Sequence, residues 1–248
     1  MAQPQHRIFE ASQLGKLLEV LARNGYDVIG PKIRDGAIVY EQIESAEELP
    51  AGFTDQQQPG QYRLRRRDDE ALFGYAVGPQ SWKRYLHPAD VQLWSAERQD
   101  GTFRILDNEM RPKRPQAFVG VRACELAAIL VQDRVLLGDH YRDRIYDGLR
   151  RGAFIVAVHC TQAAATCFCA SMRSGPRARE GFDLALTELV GPSEHRFLVE
   201  AGSDRGAEML SAVETIPASE EDVCEAGAAV DEAAAQQARS IDTAGLKD

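Results

Sequence analysis

The chain of 248 residues has no apolar run approaching the roughly 20 residues that span a bilayer. Its first ten residues (MAQPQHRIFE) lack the apolar stretch of a secretory signal. It has no excess of positive charge: the net charge of −9 excludes a general nucleic-acid binder, which neutralises phosphate with Lys and Arg, and an anionic membrane surface as a partner. G-x-S-x-G, Walker A and G-x-G-x-x-G runs are all missing, so the usual hydrolase, nucleotide and dinucleotide signatures are not there. His6, His87, His140 and His195 are scattered and match no metal spacing, and His159, just before Cys160, reads as the end of a strand or as a hydrogen-bonding neighbour of that cysteine. What remains is ordinary globular composition, with 44% hydrophobic and 27% charged residues. These features place the expected protein in the cytoplasm, where thiols stay reduced.

The periodicity predicts an α/β protein. Leu14, Leu17, Leu18 and Leu21 repeat at helical spacing after Ser12, the expected cap, and Gly25 ends the run. YDVIGP and GAIVYEQI read as two strands around KIRDG, and residues 49–61, rich in Pro, Gly and Gln, read as a surface loop. Arg63, Arg65, Arg66 and Arg67 precede Asp68, Asp69 and Glu70. That charge run reads as a solvated strand edge or helix start, with a docking or cofactor-phosphate site as the sharper alternative. Trp82, Tyr85 and Trp94 read as core or interface anchors.

The strand QAFVGV (116–121), the helix CELAAILVQDRVLLG and the strand AFIVAV (153–158) form a βαβ unit with parallel strands. GFDLALTEL and HRFLVE read as a hairpin around GPSE, and GSDRGAEMLSAV as a turn and helix. The expected fold is a mixed sheet with this parallel unit flanked by helices. Residues 1–110 form an N-terminal α/β lobe, 111–218 a second α/β lobe, and 219–248 an Ala- and Glu-rich helical tail or connector.

Five cysteines are few and odd in number, and Cys160, Cys167 and Cys169 crowd one loop. In a reducing compartment such a cluster points to metal rather than to disulfides. Cys124 follows the strand QAFVGV and Cys160 follows AFIVAV. If those strands are neighbours about 4.8 Å apart, both thiols emerge at the C-terminal sheet edge, where α/β proteins bind ligands. The loop CTQAAATCFCAS adds Cys167 and Cys169, and four thiolates are the set that a [4Fe–4S] cluster requires. Cys124 would open a helix, whose N-terminal dipole favours a thiolate. Arg122 and Arg173 flank the site and would offset its negative charge. Three other readings stay open on the residues alone: a structural zinc site, unliganded buried thiols and a thiol redox centre. Cys224, isolated in the acidic tail, reads as an unliganded thiol and as the competitor of Cys124 for the fourth position.

VGVRACELAAI, HCTQAAATCFCASM with GFDLALTEL after it, VIGPKIRDGAIVY and EALFGYAVGPQSWKRYLHP together resemble one family. It is the β-subunit family of cytoplasmic sulfhydrogenases, shared with the A subunit of anaerobic sulfite reductase, and the resemblance runs from about residue 12 to about residue 217. It implies an iron–sulfur electron-transfer subunit without a catalytic site of its own. Such a subunit relays electrons between a flavoprotein that handles NAD(P)H and a catalytic hydrogenase or sulfite/sulfur reductase subunit. It also implies Cys124, Cys160, Cys167 and Cys169 as ligands of a [4Fe–4S] cluster. The family's C-terminal ferredoxin-like domain, with two Cys-rich runs, has no counterpart here, and the expectation is a truncated chain or a natural short form. A zinc-stabilised docking scaffold without redox activity is the alternative function.

Overall fold

A computed structural model describes residues 6–106, 114–138 and 140–245. The organising element is one eight-stranded sheet built from β1 (Arg7–Glu10), β2 (Asp27–Arg34), β3 (Ala37–Gln42), β8 (Gln116–Val121), β9 (Phe154–Val158), β10 (Leu184–Val190), β11 (His195–Ala201) and β12 (Ile216–Pro217). Its order is β12-β1-β11-β10-β9-β8-β2-β3. The four central strands, β10, β9, β8 and β2, run parallel, and both margins are antiparallel. The mixed α/β sheet and its βαβ unit are thus as expected. The lobe boundary at residues 110–111 lies outside the described residues, and strands from before and after it share this one sheet.

Strand sequence and position agree. All five residues of β9 are buried, because helices cover the sheet on both faces and leave no side for polar residues. On one face α1 (Leu14–Arg23) and α5 (Asp204–Ser211) pack over Phe9, Leu184, Leu186, Phe197 and Val199. On the other, α3 (Ala123–Leu136) and α4 (Arg144–Gly152) cover Phe118, Val121, Ile155 and Ala157. A bulge between Val119 and Val121 breaks the alternation of β8 and turns Val121 toward α3, immediately before the helix begins.

Three local expectations are corrected. Ser12 lies within a 3₁₀ turn, Ala11–Gln13, and makes no cap for α1, whose preceding residue is Gln13. Residues 49–61 are not all loop: β4 (Phe53–Gln58) pairs with β5 (Gln61–Arg66) across Pro59 and Gly60. Gln-rich strands carry little propensity signal, and cross-strand pairing supplies what composition does not. Trp94 is 65% exposed, next to a hairpin of β6 (Ser95–Gln99) and β7 (Thr102–Leu106), whereas Trp82 is buried and stacked on Tyr40 at 4.0 Å between ring centroids. Trp82 precedes α2 (Lys83–Leu86), and Tyr85 within that helix packs on Phe118.

The tail is docked. α6 (Glu220–Ala235) is capped by Ser219 and Asp222, and buries Ala226, Val230 and Ala233. Ala226 packs with Ile8, Leu189 and Leu198 of the sheet, and Arg196 pairs with Asp222 and Glu225.

The start of α5 meets the sheet so closely that a Cβ on Gly206 would stand 1.9 Å from the Asp183 carbonyl oxygen. Gly206→Ala is therefore expected to cost about 2 kcal/mol by forcing helix and strand apart. Chemical denaturation measures it, and a variant as stable as the parent would refute this packing.

Candidate metal centre

β8 and β9 are parallel neighbours, and each delivers a cysteine just beyond its C-terminal end. Val121 is followed by Arg122, which precedes α3, and by Cys124 in the first turn of that helix. Val158 is followed by His159 and Cys160, whose amide donates to the Pro176 carbonyl at 3.3 Å. Cys167 and Cys169 lie in the irregular segment that follows. There the Cys167 amide donates to the Ala164 carbonyl and the Ser174 amide to that of Cys169, both at 3.0 Å.

All four thiols are half-buried and free, whereas Cys224 stands exposed on α6. Cys124, Cys160 and Cys167 each feel the charge of other thiols of the group. Burial raises the Cys124 thiol well above its ordinary range, and Cys160, Glu125, Cys169 and Cys167 add to the effect. Burial pushes Cys160 up to about 11; Arg122 opposes this, and Cys169 and Cys167 reinforce it. Burial also raises Cys167, with a contribution from Cys169. Metal-free thiols in this setting are protonated at neutral pH wherever the shift is upward, so a metal must displace protons to bind them.

Arg122, expected beside the cysteines, is the buried cation of the group. The sequence places it beside the cysteines, but only the fold buries it to 1% exposure. Its Nη2 donates to the carbonyls of Phe73 and Tyr75 at 2.6 and 2.8 Å, and its guanidinium lies over the Tyr75 ring at 4.8 Å. Its side-chain hydrogen bonds given for the described residues all go to carbonyls, the buried Nε has no partner, and the Glu125 carboxylate acts on its charge from nearby. Part of its work is structural: the buried, irregular backbone around Phe73 needs partners, and Arg122 serves its carbonyls. Glu188 accepts the amides of Leu72 and Phe73 at 2.6 and 2.8 Å. The Arg122 charge acts on Cys160 and on Glu125. A buried cation suits anionic groups beside it, a thiolate among them. Arg173, the other expected neighbour, is exposed, with a left-handed backbone at φ 55°. His159 is buried with Nδ1 2.9 Å from the Thr187 hydroxyl; burial lowers it to about 4, so it is neutral.

The cysteine loop is held from outside. Gln162 donates to the Thr54 hydroxyl at 2.6 Å and accepts from Arg67, and the Thr166 hydroxyl donates to Gln57 at 2.8 Å. Arg67, read from sequence as part of a solvated charge run, is in fact tied to Asp69 and to this loop. Arg63 and Arg65 lie on β5, where Arg65 donates to Gln56. No sequence signal announces these latches, because their partners are about 100 residues apart.

Among the described residues no three His, Cys, Asp or Glu side chains converge tightly enough for a single metal ion. A lone zinc demands that convergence, with sulfurs about 2.3 Å from one point. Four thiols from three segments are a donor set that a structural zinc or an iron–sulfur cluster takes. No helix among the described residues is long and apolar enough to cross a membrane. No protein-family model matches the chain, and no curated protein matches it.

Proposed function

We propose that this chain is an iron–sulfur electron-transfer subunit that carries one [4Fe–4S] cluster on Cys124, Cys160, Cys167 and Cys169 at the C-terminal edge of the parallel strands. The observation that carries the reading is four half-buried free thiols from three chain segments, at the end of the parallel strands β8 and β9 and beside the buried guanidinium of Arg122. When bound, such a cluster stores and releases one electron at a time. The protein's own residues do the rest. Arg122 sets fixed positive charge against the thiolates, the first turn of α3 presents amides and its dipole toward Cys124, and Gln57, Thr54 and Arg67 hold the loop in place.

The family resemblance extends the proposal to partners. The chain would relay electrons between a flavin- and NAD(P)H-handling subunit and a hydrogenase or sulfite/sulfur reductase catalytic subunit, without a catalytic site of its own. The protein purified without oxygen is expected to be brown, with about four iron and four sulfide per chain and an EPR signal on reduction. Colourless protein with one zinc and no sulfide would favour the docking-scaffold alternative and overturn this one.

A further inference from the structure

α6 ends at Ala235, and the next two residues lay their side-chain amides on the cysteine loop. Gln236 Oε1 accepts the Ala163 amide at 3.0 Å, and Gln237 Oε1 accepts the Ala170 amide at 3.0 Å. A backbone N–H can only donate, so the Ala170 amide determines which end of the Gln237 carboxamide faces it. The amide nitrogen is thereby turned the other way, and Nε2 stands 3.2 Å from Cys169 Sγ as a donor. On another side the same sulfur is closed in by Gly175, where a Cβ would lie 2.8 Å from Sγ. Farther along, the Ile241 amide donates to the Ser171 hydroxyl at 3.0 Å and ties the tail to the loop again.

We propose that Gln237 is a positioning residue for the metal centre: its carbonyl latches the loop through Ala170, and its NH₂ group donates to the sulfur of Cys169. This inference rests on the iron–sulfur reading above. A coordinated thiolate carries more negative charge when the cluster is reduced, so a donor aimed at it favours the reduced form and raises the reduction potential. The device also gives the docked tail a purpose, since the capped helix and its Arg196 pairs bring Gln237 to the loop from 68 residues away.

The experiment is an anaerobic redox titration of the full chain followed by EPR, comparing the parent with Gln237→Leu, Gln237→Glu and Gln236→Ala. Gln237→Leu removes both contacts and is expected to lower the midpoint by up to about tenfold in the oxidised-to-reduced ratio, or about 59 mV for one electron. Gln237→Glu keeps the acceptor for Ala170 but replaces the donor with a carboxylate, so its midpoint falls at least as far. Gln236→Ala loses a latch that touches no sulfur and leaves the midpoint in place. Unmoved midpoints in both Gln237 variants, or an equal shift in Gln236→Ala, overturn the proposal.

Hydrogen exchange of the metal-free chains decides the latch independently of loading. The Ala170 amide is expected to exchange faster in Gln237→Leu and at the parental rate in Gln237→Glu; equal rates in all variants overturn it. Parent protein without iron and sulfide would overturn the iron–sulfur reading itself, whereas iron-loaded parent with unmoved variants overturns only the role of Gln237.

Discussion

Cys160→Ser is expected to take the anaerobically purified protein from about four iron per chain to fewer than one, with loss of colour and of the EPR signal. Serine is close to cysteine in size, but its hydroxyl stays protonated near neutrality and is a hard ligand, so one corner of the cluster would lose its bond. Cys160 is the most informative of the four because it couples to the most of the site. Its thiol interacts with Arg122, Cys169 and Cys167, and its amide is anchored on Pro176. The metal-free variant should melt within a degree or two of the metal-free parent, which separates loss of ligation from loss of fold. The paired control is Cys224→Ser, which alters only an exposed thiol on α6 and should leave iron and sulfide unchanged. Retention of the full complement in Cys160→Ser, or its loss in Cys224→Ser, would refute the assigned ligand set.

The largest stability effect is expected at Asp183. Its buried carboxylate accepts the Ile155 amide at 2.8 Å and the Ser203 hydroxyl at 2.5 Å, and takes Arg205 at 3.0 Å. These bonds join the start of β10, the neighbouring strand β9 and the cap of α5. Asp183→Ala strands a buried backbone N–H and removes the acceptor from two further donors, at a cost of about 3 kcal/mol. The figure is held to that because Arg205 is itself 44% exposed and solvent replaces part of its partnership. For a chain of this size that corresponds to a fall in Tm of about 10 °C. Asp183→Asn keeps one acceptor and should recover part of the loss. Thermal and chemical unfolding check both variants, and a loss below about 1 kcal/mol would mean that the junction is not the anchor described here.

Gly206→Ala and Asp183→Ala perturb the same junction from opposite sides, since the glycine packs on the carbonyl of Asp183. Their effects in the double variant should therefore fall short of additive. The Gln237 and Cys160 variants instead act on the loop and should leave the sheet intact.

The parallel β8–α3–β9 unit was legible from local pattern, because the apolar runs QAFVGV and AFIVAV are short, uninterrupted and separated by a helix-length segment. From that unit it follows that Cys124 and Cys160 share a sheet edge, since a strand's end and the residues after it follow from local pattern. The hairpin of β10 and β11 was legible for the same reason, as period-two alternation around a turn. What surrounds the cysteines came from long-range packing. The burial of Arg122, the ties of Thr54, Gln57 and Arg67 to the loop, and the reach of Gln237 to Cys169 join residues 47 to 109 positions apart in the chain. Periodicity reports which face of an element is apolar; it carries nothing about which polar side chain will meet which, because that is settled by the path of the chain around the sheet.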